Sequence, residues 1–194
     1  GNALAPILFG EVNPSGKLPF TFPAKLTDNG AHAIGEYPGE NGRVEYKDDI
    51  FVGYRWTEKE KIKPLFAFGH GLSYTTFEYG KVHLTNNSMD IEGSLTASVT
   101  VKNTGSREGA EIVQLYIGEK KPKVSRPLKE LKGFEKIHLQ PNEEQTIFFT
   151  IDKNLLSFYD EEKQQWSVEP GKFELFIGAA SDNILTKTSF TVKK

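Results

Sequence analysis

The sequence predicts a mainly β chain whose second part folds as an immunoglobulin-like sandwich and whose first part cannot close a core alone. Three observations predict it. From about residue 79, apolar and polar residues alternate with period two, in short runs separated by turn residues. Residues 1–70 hold too few periodic elements to bury a core between them. Between these regions lies Phe68-Gly69-His70-Gly71-Leu72-Ser73-Tyr74-Thr75-Thr76-Phe77, where two glycines bracket a histidine and the pattern changes. That decapeptide reads as a hinge, so the expected division is 1–78 and 79–194.

Leu4, Ile7 and Leu8 recur at i, i+3, i+4, which predicts the last turns of a helix. Gly10 follows where a left-handed C-terminal cap belongs. Asn13-Pro14-Ser15-Gly16 is a turn, and Lys17 to Pro23, flanked by prolines, suits an edge strand or extended loop. Residues 24–49 form a long glycine-punctuated loop. Ile50 to Trp56 is expected as a strand, with Gly53 allowing close approach. Leu65 to Phe68 is a short apolar run entering the hinge.

The second part reads more regularly. Leu95, Ala97, Val99 and Val101 define the buried face of a strand. In Glu111 to Ile117, Val113, Leu115 and Ile117 share one face while Ile112, Gln114 and Tyr116 share the other. Leu128 to Leu139 is a strand with a bulge at Gly133, and Pro141-Asn142-Glu143 turns it into Gln145 to Ile151. Phe158-Tyr159 and Trp166-Ser167-Val168 flank a charged turn. Pro170-Gly171 leads into Phe173, Leu175 and Ile177, and Phe190 with Val192 ends the pattern. Six or seven short strands of this kind indicate a two-sheet sandwich, with no helix of useful length after residue 10.

Composition excludes several function classes. The net charge is −2, and the run Lys120-Lys121-Pro122-Lys123 has acidic neighbours, which gives no nucleic-acid footprint. Without cysteine there is no disulfide, thiolate zinc site or cysteine nucleophile. No apolar run approaches the ~20 residues of a membrane span, so neither nucleic acid nor membrane is an expected partner.

No catalytic, metal-binding or cofactor-binding residue is assigned, and no cofactor is expected. Asp48-Asp49, Glu143-Glu144 and Glu161-Glu162 are paired acids, but neighbours on a strand point to opposite faces and do not converge on one substrate atom. Asp48 and Asp49 adjoin the long loop as candidate substrate contacts. His32, His70, His83 and His138 have no partners at metal-ligand spacing, and His70 reads as a structural hydrogen-bonding residue. The loop at 35–48 carries Glu36, Tyr37, Arg43, Glu45 and Tyr46, a mixture suited to sugar recognition; its plainer reading is a loop that packs on another domain. Trp56 and Trp166 are expected in a core or interface rather than as a sugar platform. Asn86-Asn87-Ser88 fits a glycosylation acceptor, without meaning in a bacterial protein.

Four segments together resemble the C-terminal part of glycoside hydrolase family 3, the β-glucosidase and β-xylosidase family. They are Gly10-Glu11-Val12-Asn13-Pro14-Ser15-Gly16-Lys17-Leu18-Pro19, Ile50-Phe51-Val52-Gly53-Tyr54-Arg55, the hinge decapeptide, and Ser125-Arg126-Pro127-Leu128-Lys129-Glu130-Leu131-Lys132-Gly133-Phe134. The resemblance implies the C-terminal remnant of an α/β sandwich domain followed by a fibronectin type III-like sandwich. It implies as partners a barrel and an α/β domain in the same polypeptide, and through them a β-linked glucoside or oligosaccharide. Retaining glycosidases need two carboxylates about 5 Å apart. The family's nucleophile lies on the barrel and its acid/base glutamate upstream of the Asn-Pro-Ser-Gly segment, so neither transfers to a residue here. The resemblance implies an inactive, bracing region of a bacterial enzyme, periplasmic or secreted, with the cytoplasm as the alternative. Rival readings are a stand-alone carbohydrate-binding module and a purely structural immunoglobulin-like domain.

Overall fold

The computed structural model describes all of residues 1–194. The first part is mostly irregular. It contains helix α1 (Leu4–Leu8), a 3₁₀ turn at Leu26–Asp28, α2 (Gly30–Ala33) and α3 (Tyr54–Lys59). Gly10 adopts φ +78 and its N–H bonds to the Ile7 carbonyl, closing α1 as its cap position requires. The extended stretch at 17–23 is tied to the apolar run before the hinge by a single antiparallel bridge, Phe22 to Phe66.

The segment 50–56 departs from the expected strand. Gly53 takes φ +63 and ψ −127, which breaks extension, and Tyr54 to Lys59 then wind into a helix. A short apolar run does not by itself separate strand from buried helix. Helices α2, α3 and α4 (Lys153–Leu156) were likewise not anticipated, each being too short to show a helical period.

The sandwich begins with β1 (Phe77–Tyr79), β2 (His83–Leu84) and β3 (Ser88–Asp90). The long strands are β4 (Ser94–Asn103), β5 (Gly109–Glu119), β6 (Glu130–Leu139) and β7 (Glu144–Asp152). After α4 come β8 (Phe158–Asp160), β9 (Gln165–Ser167), β10 (Gly171–Ala180) and β11 (Asn183–Lys193). One sheet places β4 between β7 and the pair β1 and β2. The other runs β3-β11-β10-β5-β6, and β8 with β9 form a separate hairpin. The expected bulge is present: Gly133 pairs with Leu115, whereas Leu131 already pairs with Tyr116, leaving Lys132 as the extra residue.

Alternation decides which faces meet. Leu95, Ala97, Val99 and Val101 from β4 pack against Val113, Leu115 and Ile117 from β5 and against Phe173, Leu175 and Ile177 from β10, all buried. Phe173 and Phe190 stack with centroids 5.5 Å apart. Each such aliphatic or aromatic side chain contributes about 1.5–3 kcal/mol by leaving water. The outward residues of β5 are also buried, with Gln114 at 3% and Tyr116 at 0% exposure, because the first part of the chain lies over that sheet. Trp56 is buried in the first part, as expected. Trp166 is not in a core: it sits 69% exposed on the β8–β9 hairpin, edge-on to Tyr159 across the ladder. A two-stranded ribbon has no second layer to receive it.

Candidate functional site

The structure brings the four quoted segments into one joint between the first part of the chain and the sandwich. At one end, Asn13 acts as a clasp. Its Oδ1 accepts from the Tyr74 backbone N–H at 2.8 Å and from the Ser73 hydroxyl at 3.1 Å. Its Nδ2 donates to the Glu108 carbonyl at 2.9 Å, at the entrance to β5. Tyr74 donates its hydroxyl to the Ile7 carbonyl at 2.7 Å, and Arg107 donates to the Gly10 carbonyl at 2.6 Å. Beneath the clasp, Asn103 is wholly buried. It accepts from Thr75 at 2.6 Å and donates to the carbonyls of Arg107 and Leu139.

In the middle, the hinge backbone runs beside residue 18. Leu18 N–H donates to the His70 carbonyl and Gly69 N–H donates to the Leu18 carbonyl, both at 2.8 Å. His70 therefore acts through its backbone, while its ring packs on Phe66 at 5.1 Å. Gly69 sits at φ +81, and a Cβ there would lie 2.4 Å from Gln114 Oε1. The Gln114 amide donates to the Ala179 carbonyl at 2.7 Å, and its Oε1 accepts from the Tyr116 hydroxyl at 2.5 Å. Lys17 pairs with Glu111 at 2.8 Å, both largely out of water.

At the other end, α3 lies on the start of β6. The Tyr54 hydroxyl accepts from the Leu131 backbone N–H at 2.9 Å, and its ring meets the Tyr116 ring edge-on at 6.0 Å. Arg55 pairs with Glu130 at 3.0 Å, and Glu58 pairs with Lys129. Arg126 holds the second oxygen of Glu130 at 3.0 Å, with Lys132 at 3.6 Å. Burial alone would push Glu130 up, but Lys132, Arg126 and Arg55 outweigh it and hold the carboxyl below its ordinary value. Burial raises Glu58 despite the Lys129 ammonium, and raises Glu119 despite Arg126. Burial lowers the Lys132 ammonium against the pull of Glu130, and raises the Tyr116 hydroxyl, with Tyr54 and Glu58 adding to it.

This joint is made of largely buried ion pairs and backbone hydrogen bonds that cross between the two parts, and its chemistry is that of attachment. Profiles of two families match the same two parts of the chain. The Glycosyl hydrolase family 3 C-terminal domain matches residues 1–74, and the Fibronectin type III-like domain matches residues 111–181. The chain belongs to the C-terminal region of glycoside hydrolase family 3.

This family 3 region is 53% identical to Beta-glucosidase BoGH3A of Bacteroides ovatus, over 98% of the chain and 26% of that protein. It is 50% identical to Thermostable beta-glucosidase B of Acetivibrio thermocellus, over 99% of the chain and 25% of that protein. The crystal structure of Beta-glucosidase from Kluyveromyces marxianus in complex with glucose superposes with a TM-score of 0.91 at 45% identity, over 100% of the chain and 23% of that structure. The chain thus spans about a quarter of the length of these relatives.

The remaining expected positions lie apart from the joint. Asp48 is half-exposed and Asp49 exposed. Glu143 caps its own turn by accepting from the Gln140 N–H, and Glu144, Glu161 and Glu162 point to solvent. His32 packs edge-on to Tyr37 at 5.1 Å, while His83 and His138 are exposed. In loop 35–48, Glu36 is buried at 4% exposure, while Tyr37, Arg43, Glu45 and Tyr46 are exposed. Glu58, Asn103, Gln114 and Tyr116 were not singled out from sequence. Glu58 sits in a helix too short to show a period, and Gln114 and Tyr116 owe their burial to segments outside β5, so no local pattern marks them.

Proposed function

We propose that this region braces the catalytic part of a retaining β-glucosidase that cleaves terminal β-D-glucosyl residues, and contributes neither catalytic carboxylate itself. The division falls at residue 78, with 1–78 completing an α/β domain and 79–194 forming the fibronectin-like sandwich. The single observation that carries the reading is the amount of exposed apolar surface in the first part. Leu4, Leu8, Phe9, Val12, Phe20, Leu26, Val52, Leu65 and Leu72 all expose more than half of their surface in the first part. Exposed apolar surface on that scale marks an interface. The joint would hold this exposed surface in a fixed relation to the sandwich. Relatives named as beta-glucosidases support the reaction, and the parent protein belongs by this reading in a bacterial periplasm or outside the cell, with the cytoplasm as the alternative.

The test is complementation. The B. ovatus relative is truncated to remove the matching region and assayed on p-nitrophenyl β-D-glucoside with and without the 194-residue chain. The chain alone should show no turnover, and its addition should restore activity to the truncated enzyme. Turnover by the chain alone, or failure to associate, would overturn the reading.

A second reading has one observation behind it. Trp166 and Tyr159 form an exposed aromatic pair, centroids 5.9 Å apart, on a free hairpin. This favours a carbohydrate-binding face, which pull-down on insoluble glucan with Trp166→Ala as control would separate from bracing.

A further inference from the structure

Asn-Gly occurs twice in the chain, at Asn29-Gly30 and at Asn41-Gly42, each time after an acid, Asp28 and Glu40. In this dipeptide the asparagine amide and the next main-chain nitrogen can react with each other, because glycine has no Cβ to shield that nitrogen. The two pairs share nearly the same local sequence and have opposite surroundings.

Asn29 is held in place. It is the N-cap of α2, and its Oδ1 accepts from the Ala31 N–H at 3.1 Å. Gly30 is buried, and a Cβ on it would lie 3.1 Å from the Trp56 ring. An amide committed to a cap, beside a glycine packed on an indole, leaves no room for the peptide plane to turn. Asn41 is open. Asn41 and Gly42 are both exposed, and a Cβ on Gly42 would meet nothing within 4 Å. The Gly42 N–H has no backbone acceptor. Around them Glu40 and Arg43 exchange both backbone hydrogen bonds, at 3.0 and 2.9 Å, with Asn41 at φ +52 and Gly42 at φ +74. Two successive positive φ values define the tight turn that Asn-Gly favours.

We propose that Asn41 is a site of spontaneous deamidation, selected over Asn29 by the fold, and that its isoaspartate product opens the 40–43 turn. The Gly42 nitrogen attacks the Asn41 side-chain carbonyl carbon and gives its proton to solvent. The bond from that carbon to Nδ2 breaks, and ammonia leaves with the electron pair and a proton. The five-membered imide is then hydrolysed. Water that cleaves the ring at the side-chain carbonyl leaves aspartate, and water that cleaves it at the main-chain carbonyl leaves isoaspartate. In total one water is consumed and one ammonia released, with nothing oxidised or reduced. The reaction needs neither a catalytic domain nor a substrate. Either product adds a negative charge beside Glu40 in a chain of net charge −2. Isoaspartate also routes the main chain through the former side chain, one carbon longer. Glu40 and Arg43 can then no longer exchange both hydrogen bonds across a two-residue loop.

The experiment incubates the 194-residue chain at mildly alkaline pH, native and in urea, and then digests it with trypsin. Cleavage after Lys25 and Arg43 gives one peptide, 26–43, that carries both asparagines, so fragmentation spectra compare them side by side. In the native chain, conversion to the acid at Asn41 should be at least about tenfold faster than at Asn29. In urea the two rates should agree within about twofold. A protein-isoaspartate methyltransferase supplied with labelled S-adenosylmethionine should methylate residue 41. Gly42→Ala puts a methyl group beside the attacking nitrogen and should slow Asn41 at least about fivefold. Alanine is strained at φ +74, so this variant is read in urea, where the turn is absent. The isoaspartate fraction should also lose hydrogen-exchange protection at the Arg43 amide. Equal native rates at the two asparagines, the same preference in urea, no native conversion at Asn41, or an unchanged rate in Gly42→Ala overturns the proposal. A product that accepts no methyl group, or an isoaspartate fraction with Arg43 still protected, overturns the opening of the turn.

Discussion

Arg55 on α3 and Glu130 at the head of β6 meet at 3.0 Å, and through this pair two segments remote in sequence become one structural unit. Glu130 is the centre of the cluster, since Arg126 and Lys132 also converge on it. Arg55 retains a third of its side-chain exposure, whereas Arg126 keeps only 9%. The two arginines should therefore differ in worth. Exposed pairs contribute little, while removal of one partner from a desolvated cluster strands the others.

Glu130→Ala should accordingly destabilise the chain by about 2–4 kcal/mol, because three cations lose their counter-charge in a site only partly open to water. Arg55→Ala should cost about 1 kcal/mol or less. Urea denaturation of both variants measures this. Equal losses would mean that the cluster has no centre.

The same cluster sets a pH dependence with two opposed limbs. The lowered Glu130 carboxyl contributes stability that is complete above the ordinary value of 4.5 and is lost as pH falls through its folded value. Glu58 and Glu119 act in the other sense. Burial raises them, so the stability they contribute is present below 4.5 and is lost as pH rises through their raised folded values. Urea midpoints from about pH 3 to 7 should show the acid limb flatten in Glu130→Gln and the loss above 4.5 shrink in Glu58→Gln. An acid limb unchanged in Glu130→Gln would assign it to other carboxylates.

How much of this was legible beforehand depends on which surface a residue meets. Leu95, Ala97, Val99 and Val101 announce their buried face because a sandwich strand meets its partner sheet on every second residue. Tyr54 and Arg55 did not announce a helix. One glycine at positive φ and a packing surface far along the chain decide that segment, and neither leaves a period in six residues. Gln114 and Tyr116 occupy positions that would be wet in an isolated sandwich. Their burial comes from the hinge and α3, so no pattern within β5 can reveal it. The four motifs were readable singly, but their mutual contact is a property of the fold. In loop 35–48 the residue types pointed toward sugar chemistry, whereas the buried, unpartnered Glu36 oxygen is visible only in three dimensions.

Phe148 and Phe149 are neighbours on β7 with opposite surroundings. Phe149 belongs to the core, whereas Phe148 is 68% exposed on the outer face opposite Ser98. Phe149→Ala should cost about 3–4 kcal/mol from lost transfer energy and the cavity left behind. Phe148→Ser should stay within about 0.5 kcal/mol in the isolated chain. Thermal unfolding distinguishes them, and a large loss at Phe148 would mean that another surface covers that face in solution.

Gly69 tests the middle of the joint. Alanine there must adopt a left-handed φ and must also displace the Gln114 amide, whose hydrogen bonds tie the hinge and Tyr116 to the Ala179 carbonyl. The first cost is about 1 kcal/mol and the second about 1–2 kcal/mol, so Gly69→Ala should lose about 2–3 kcal/mol in total. Because the two costs have separate origins, Gln114→Ala should absorb the second. Adding Gly69→Ala to a Gln114→Ala background should then cost only the strain, about 1 kcal/mol. A double-mutant cycle read by urea midpoints gives a coupling of about 1–2 kcal/mol if the glycine is kept for close approach to Gln114. Strict additivity would show that the glycine serves the backbone angle alone, and that the hinge and β5 are held together by the ends of the joint rather than by its middle.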